Sequence, residues 1–210
     1  MLIVHHLGVS QSERIVWLCE ELGLDYELRR YDRDPPGRGL APVAYKALHP
    51  LGTAPVITDG DVVLPESGAI MEYILGRYGN GQLVVGPDAS NFADYLFWFH
   101  FANATLLPNQ TAAALAGADE TPRAAFLRAR SKRAWAMVEE RLGATAYFAG
   151  SEFTAADIIM GFGLTTMRVF FPHDLSESPN ILAYLKRIGE RPAYQRAMSK
   201  GDPQMAPLLS

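Results

Sequence analysis

A single cysteine, Cys19, means that no internal disulfide can form, so the fold must be held by a buried core and a reducing compartment is permitted. Long apolar runs are also missing. No stretch approaches the ~18 residues needed to cross a bilayer, and residues 1–4 are too short and uncharged for a secretory signal, so a cytoplasmic location without membrane partners is expected. Nor is there an excess of positive charge. The 19 Lys and Arg against 23 Asp and Glu leave a net charge of -4, which argues against nucleic acid as a partner. The one basic cluster, Arg128, Arg130, Lys132 and Arg133, has the spacing of a solvated helix face. His5, His6, His49, His100 and His173 show no metal-ligand spacing, because the adjacent pair would point to opposite faces of a strand, so no metal is expected. Internal repeats and low-complexity tracts are absent too.

What is present is a foldable composition, 49% apolar and 20% charged, in a 210-residue chain that suits one small domain and one larger. Leu2-Ile3-Val4 predicts a strand, and Ile15, Leu18, Cys19 and Leu22 then keep helical spacing up to Gly23. Tyr26 to Tyr31 predicts a half-buried strand, Asp34 to Gly39 a Pro/Gly-rich loop, and Val43 to Leu48 a short helix. Residues 55–58 and 62–64 flank Asp59-Gly60-Asp61, a hairpin signal, and Glu66 to Tyr78 predicts a helix. The order is βαβαββα. Glycine punctuates residues 79–89, and beyond them the periodic segments are helical: the aromatic run Tyr95 to Phe101, Pro122 to Leu142, a helix opening at Thr154, and Pro179 to Ile188. The expected domains are therefore 1–78, a linker 79–89, and an all-helical 90–210.

Three short segments carry chemistry. Pro55 opens a strand, where its missing N–H is tolerated, and a cis bond after Ala54 would turn the Ala54 amide and carbonyl toward an extended peptide ligand; a plain turn is the alternative. Glu66-Ser67 begins a helix, so the Ser67 N–H and hydroxyl suit an anion while Glu66 suits a cationic amine, together an α-amino acid head group. Electrostatic capping of that helix is the structural alternative. Ser10, between the first strand and the first helix, could donate to a thiolate beside a positive helix end; N-capping by Ser10 or Ser12 is the alternative. Lowering a thiol pKa by about two units takes ~2.7 kcal/mol of preferential stabilisation. Thr154 with Asp157 predicts a capping box, whose loss in Asp157→Ala would cost about 1–2 kcal/mol. Cys19, on the apolar face of its helix, predicts a core thiol.

The stretches Ser10-Gln11-Ser12-Glu13-Arg14, His49 to Val56 and Leu64 to Ile70, followed by Phe153 to Ile158 and Arg191-Pro192-Ala193, resemble in order the motifs of the glutathione transferase family, and the likeness spans nearly the whole chain. That resemblance implies an α/β thioredoxin-like N-terminal domain followed by an all-α helical C-terminal domain, glutathione as co-substrate, and a cytoplasmic, homodimeric detoxification enzyme. It implies that Thr53, Ala54 and Pro55 hold the cysteinyl backbone, that Glu66 and Ser67 hold the γ-glutamyl head, and that Ser10 activates the thiol. Ser12 is a second candidate for that role. His6 falls where tyrosine-type members carry their tyrosine, which favours the serine type. Gly52 and Thr53 replace the His or Lys that relatives often offer to the glycyl carboxylate, leaving Tyr45 or Arg38 as substitutes. The helical domain would border a hydrophobic acceptor-substrate pocket, with Tyr95, Phe97, Trp98, Phe99 and Phe101 chiefly core and Leu106, Met167 and Phe170 possible walls. Conjugation, ether cleavage, isomerisation and peroxide reduction all use the same thiolate, and a binding protein without turnover is the reading from another class.

Overall fold

The computed structural model describes residues 1–35 and 39–210 and divides them into two compact units. Met1–Val84 together with Ile188–Leu208 form the first, and Val85–Arg187 with Leu209–Ser210 form the second.

The first unit contains β1 (Leu2–Leu7), α1 (Glu13–Glu21), β2 (Glu27–Tyr31), α2 (Val43–Lys46), β3 (Val56–Asp59), β4 (Val62–Pro65) and α3 (Ser67–Tyr78). The sheet order is β2-β1-β3-β4. β1 runs parallel to β2, which requires the α1 crossover, and antiparallel to β3, which joins β4 through the predicted hairpin. Gly60 takes φ +60° in that two-residue turn, a conformation that L side chains rarely adopt. Ile15, Val16, Leu18 and Cys19 of α1 and Ile70, Met71 and Ile74 of α3 are fully buried beside Val4 and Ile57 of the sheet. Each large apolar side chain removed from water in this way contributes about 1.5–3 kcal/mol. This is the expected thioredoxin-like arrangement. β2 departs from the alternation predicted for it: Arg29 and Arg30 are exposed in succession, because this edge strand has β1 on one side only.

A last helix, α10 (Pro192–Gly201), completes the same unit, so the expected assignment of 90–210 to one helical domain does not describe the chain. Charge and packing explain the placement. Glu20 and Glu21 end α1 with buried carboxylates, and α10 supplies their partners: Arg191 grips Glu21 through Nε and Nη2 at 2.7 Å each, while Arg196 and Lys200 bind Glu20. Trp17 of α1 meets the edge of Tyr194 at 4.8 Å.

The second unit holds α4 (Phe92–Phe101), a π-helical turn (Ala102–Leu106), α5 (Leu107–Ala116), α6 (Pro122–Ala144), α7 (Ala155–Leu164), α8 (Met167–Phe170) and most of α9 (Pro179–Gly189). Thr121 caps α6, accepting from Ala124 N–H, with Pro122 in the first turn. Every residue of α7 is buried. A Cβ on Gly163 would stand 2.9 Å from Leu106 Cδ2, so glycine lets α7 approach the π-helical turn. Tyr95, Trp98, Phe99 and Phe101 are core, whereas Phe97 is 47% exposed. Leu106 is fully buried, and Met167 and Phe170 are half-buried. Among the described residues no helix is long and apolar enough to cross a membrane.

Candidate active site

Strand direction gathers the predicted segments at one end of the sheet. Antiparallel pairing sets His5 opposite Val56, so β1 ends where β3 begins, and Val56 opposite Pro65 places the end of β4 at the same level. The loop after β1, with Ser10, the turn Thr53-Ala54-Pro55 before β3, and Glu66-Ser67 after β4 therefore share that end. Ala54 packs on a small cluster of Leu7, Tyr45 and Val56, which joins the turn to the base of the serine loop.

Ser10 is 5% exposed, and its hydroxyl lies 2.6 Å from Leu7 O and 2.7 Å from Ser12 Oγ. Ser12 is wholly buried; its Oγ accepts from Leu7 N–H at 3.1 Å and lies 2.9 Å from His6 Nδ1. The Ser12 side chain makes no capping bond to α1, so the hydroxyls of both serines serve the loop and not the helix end. His6 Nε2 in turn meets Asp202 Oδ2 at 3.1 Å, and Asp202 Oδ1 accepts from Val9 N–H at 2.9 Å. Burial opposes ionisation of Asp202, but His6, the Val9 amide and Arg30 prevail and hold its carboxyl below the ordinary value. Arg33 closes the loop from the other side by donating to Gly8 O and Val9 O. Between these clamps Val9 sits at φ +51°, a left-handed backbone that costs a β-branched residue about 1–3 kcal/mol and persists only when its neighbours enforce it.

Glu66 is strained in the same sense, at φ +75° and ψ 119°, just before α3. Its side chain is exposed and makes no capping bond, while Ser67, 2% exposed, is the first residue of the helix. The first-turn amides of α3 therefore face the same end of the sheet without a side-chain cap, a setting that suits an anionic group. The Ala54–Pro55 bond is cis; Thr53 is exposed, Ala54 half-buried and Pro55 buried.

Several candidates fall away. Tyr45 is 1% exposed and its hydroxyl donates to His5 O, so it is a core residue and not a carboxylate ligand. Arg38 lies outside the described residues. Burial pushes the Cys19 thiol far above its ordinary pKa, leaving it inert. Among the described residues no group of three or more His, Cys, Asp or Glu could hold a metal. Asp202 was invisible to sequence reasoning: it is 196 residues from His6, and no local pattern connects the two. A cleft of about 440 Å³ opens beside this loop, with Val9, Arg30, Arg33, Asp202 and Met205 in its walls. A larger one, about 660 Å³, lies within the helical unit against Gln110, Trp135, Phe171 and His173, and none of the serine-loop groups lines it.

Comparison with known proteins bears on the same residues. The family described as glutathione S-transferase, N-terminal domain, matches residues 4–82, and that described as glutathione S-transferase, C-terminal domain, matches residues 112–187. Glutathione S-transferase 3 of Schizosaccharomyces pombe is 32% identical, over 100% of this chain and 92% of its own length. Among solved structures, a glutathione S-transferase from Actinobacillus pleuropneumoniae superposes with a TM-score of 0.87 at 35% identity, covering 98% of this chain and 97% of its own. A theta-class glutathione S-transferase from Xanthomonas axonopodis pv. citri, with glutathione bound, gives a TM-score of 0.71 at 26% identity over 93% of this chain and 96% of its own.

Proposed function

Because this chain belongs to the glutathione S-transferase family, we propose that it binds glutathione at the end of the sheet just described and directs its thiolate at the electrophilic carbon of a hydrophobic substrate. Thr53, Ala54 and Pro55 hold the cysteinyl backbone. Glu66 takes the amine of the γ-glutamyl head, and Ser67 with the first amides of α3 takes its carboxylate. Ser10 donates its hydroxyl to the sulfur. Conjugation, a transfer of alkyl or aryl groups to glutathione, is the reaction proposed, in a cytoplasmic homodimer. The protein supplies proximity and thiolate stabilisation, and the peptide supplies the nucleophile.

The observation that carries this reading is the convergence of the Ser10 loop, Ala54 and Ser67 at one sheet end through the pairing of β1, β3 and β4. Ser10→Ala is expected to lower kcat by roughly 100-fold, the scale of losing one donor to a developing anion, with little change in affinity for glutathione. Glu66→Ala or Ser67→Ala should instead weaken glutathione binding about tenfold, or ~1.4 kcal/mol, and leave kcat nearly intact. One observation favours a second reading, a glutathione-binding protein without turnover: the Ser10 hydroxyl already lies within bonding distance of Leu7 O and Ser12. Ultraviolet titration of bound glutathione separates the two. A thiol that stays protonated at neutral pH would establish the binding protein, and a thiolate at pH 7 the enzyme.

A further inference from the structure

The four buried groups behind the proposed thiol donor form an unbroken line: Ser10 Oγ to Ser12 Oγ at 2.7 Å, Ser12 Oγ to His6 Nδ1 at 2.9 Å, and His6 Nε2 to Asp202 Oδ2 at 3.1 Å. None of the four residues is more than 5% exposed. Resting on the reading of Ser10 as the thiol's partner, we propose that this line is a proton relay in which His6 receives the proton that glutathione loses.

The direction of each hydrogen bond follows from Asp202. Its carboxylate already accepts from Val9 N–H on Oδ1, so Oδ2 also accepts, and His6 must present Nε2–H to it. With the ring singly protonated, Nδ1 is then an acceptor, and Ser12 O–H, whose other acceptor is Leu7 O at 3.3 Å, donates to it. Ser12 Oγ keeps two lone pairs for donors, one taken by Leu7 N–H at 3.1 Å and the other open to Ser10 O–H. Ser10 O–H has two acceptors within reach, Leu7 O and Ser12 Oγ, so rotation about one bond connects it to the line or disconnects it. When connected, Ser10 Oγ offers its remaining lone pair to an S–H.

Transfer then balances. The thiol proton passes to Ser10 Oγ, the Ser10 proton to Ser12 Oγ, and the Ser12 proton to His6 Nδ1. One S–H bond breaks, one N–H bond forms, and each hydroxyl ends with one hydrogen. Charge separates into a thiolate and an imidazolium held by the Asp202 carboxylate. The three hydrogen bonds from the sulfur to His6 Nδ1 have reversed, so Ser10 now donates to the sulfur, while His6 Nε2–H still donates to Asp202. The proton returns along the same line once the thiolate has been consumed. A glycine follows from this arrangement: a Cβ on Gly201 would stand 3.1 Å from His6 Nε2 and 3.3 Å from Cε1, crowding a ring that burial leaves no room to shift. The charged groups on the surrounding elements are Asp202 after α10, Arg30 on β2, Arg33 after β2, and Glu13 and Arg14 in the first turn of α1. His6 and Ser12 are thus positioning residues that act through Ser10.

Ser12→Ala interrupts the line and leaves the His6–Asp202 pair, whereas His6→Gln keeps a donor for Asp202 but removes the base. In both variants the pH at which bound glutathione ionises, read by ultraviolet absorbance, should rise by one unit or more, roughly a tenfold loss of thiolate at neutral pH. The dissociation constant for glutathione should stay within about twofold, and turnover should recover as pH is raised. In the ligand-free parent, at the pH at which bound glutathione is titrated, nitrogen NMR should find His6 protonated at Nε2 and unprotonated at Nδ1. An Nδ1–H tautomer there would overturn the relay whether or not the variants fold. So would parental ionisation of glutathione in folded Ser12→Ala and His6→Gln. If those two match the parent while Ser10→Ala fails, the relay is wrong and the role of Ser10 stands. If Ser10→Ala also matches the parent, the reading beneath it falls as well.

Discussion

At the scale of single residues, Asp157 shows how much a local motif understates. Its spacing to Thr154 announced a capping box, and both halves of it are present: Thr154 N–H donates to Asp157 Oδ2 at 2.8 Å, and the Thr154 hydroxyl accepts from the first-turn backbone, Ala156 N–H included. The carboxylate also accepts from Phe148 N–H at 3.0 Å and from the Tyr184 hydroxyl at 3.3 Å, contacts that no i, i+3 pattern encodes. Asp157→Ala strands all these buried donors, so its cost should be about 3 kcal/mol, above the ~1–2 kcal/mol of a cap alone. Burial outweighs the hydrogen bonds and raises the Asp157 carboxyl to about 6. The folded chain therefore takes up a proton before the unfolded one does. The stability linked to that uptake is complete below the unfolded value of 3.8 and is lost as pH rises through about 6. Urea unfolding of parent and variant at pH 7 and pH 4.5 should show the gap widening in acid; a gap that narrows, or one below 1 kcal/mol at both, would contradict the assignment. His6 and Asp202 illustrate the opposite case, two unremarkable side chains at distant positions that acquire meaning only through the fold.

At the scale of elements, apolar spacing found the helices and the hairpin, because a helix face and a two-residue turn are written within a dozen residues. It did not find where α10 belongs. The motif Arg191-Pro192-Ala193 marked the start of that helix, yet its basic residues gain their sense only beside Glu20 and Glu21, about 170 positions earlier. Burial opposes the charge on Glu20, and Lys200, Tyr26 and Arg196 overcome it, holding that carboxyl below its ordinary range. A chain ending at Arg187 would leave two buried carboxylates without cations and expose Trp17. It would also lack Asp202. Such a chain keeps Ser10, Thr53, Ala54, Pro55, Glu66 and Ser67, but it should not retain glutathione on an affinity matrix, and its far-ultraviolet circular dichroism should melt about 10 °C earlier, the shift expected from losing about 3–5 kcal/mol. Retention equal to that of the full chain would show that α10 is dispensable to the site.

At the scale of the molecule, the fold class was legible because two patterns succeed one another, mixed strand and helix and then helix alone. The division of the chain was not, since a segment that returns to its first unit leaves no mark in composition. The proposed homodimer belongs to this scale as well. Leu96 and Phe97 on α4 are 40% and 47% exposed, apolar surface that a second copy would cover. Light scattering should therefore give twice the 23.1 kDa chain mass, with Leu96→Glu and Phe97→Glu together shifting it toward one. A single-chain mass for the parent at micromolar concentration would remove the dimer from the proposal.

The return of α10 also imposes an order of events on synthesis. A ribosome releases β1, the serine loop and α1 first, yet the residues that neutralise α1 and orient His6 emerge after the helical unit has been made. The early sheet must wait, partly formed, while more than a hundred residues follow. Contacts of such long sequence separation are slow to close, so the second unit should acquire amide protection before the first when the protein refolds. The serine loop would then be the last part of the first unit to mature, and an unfinished chain would carry Ser10 without Asp202 behind it.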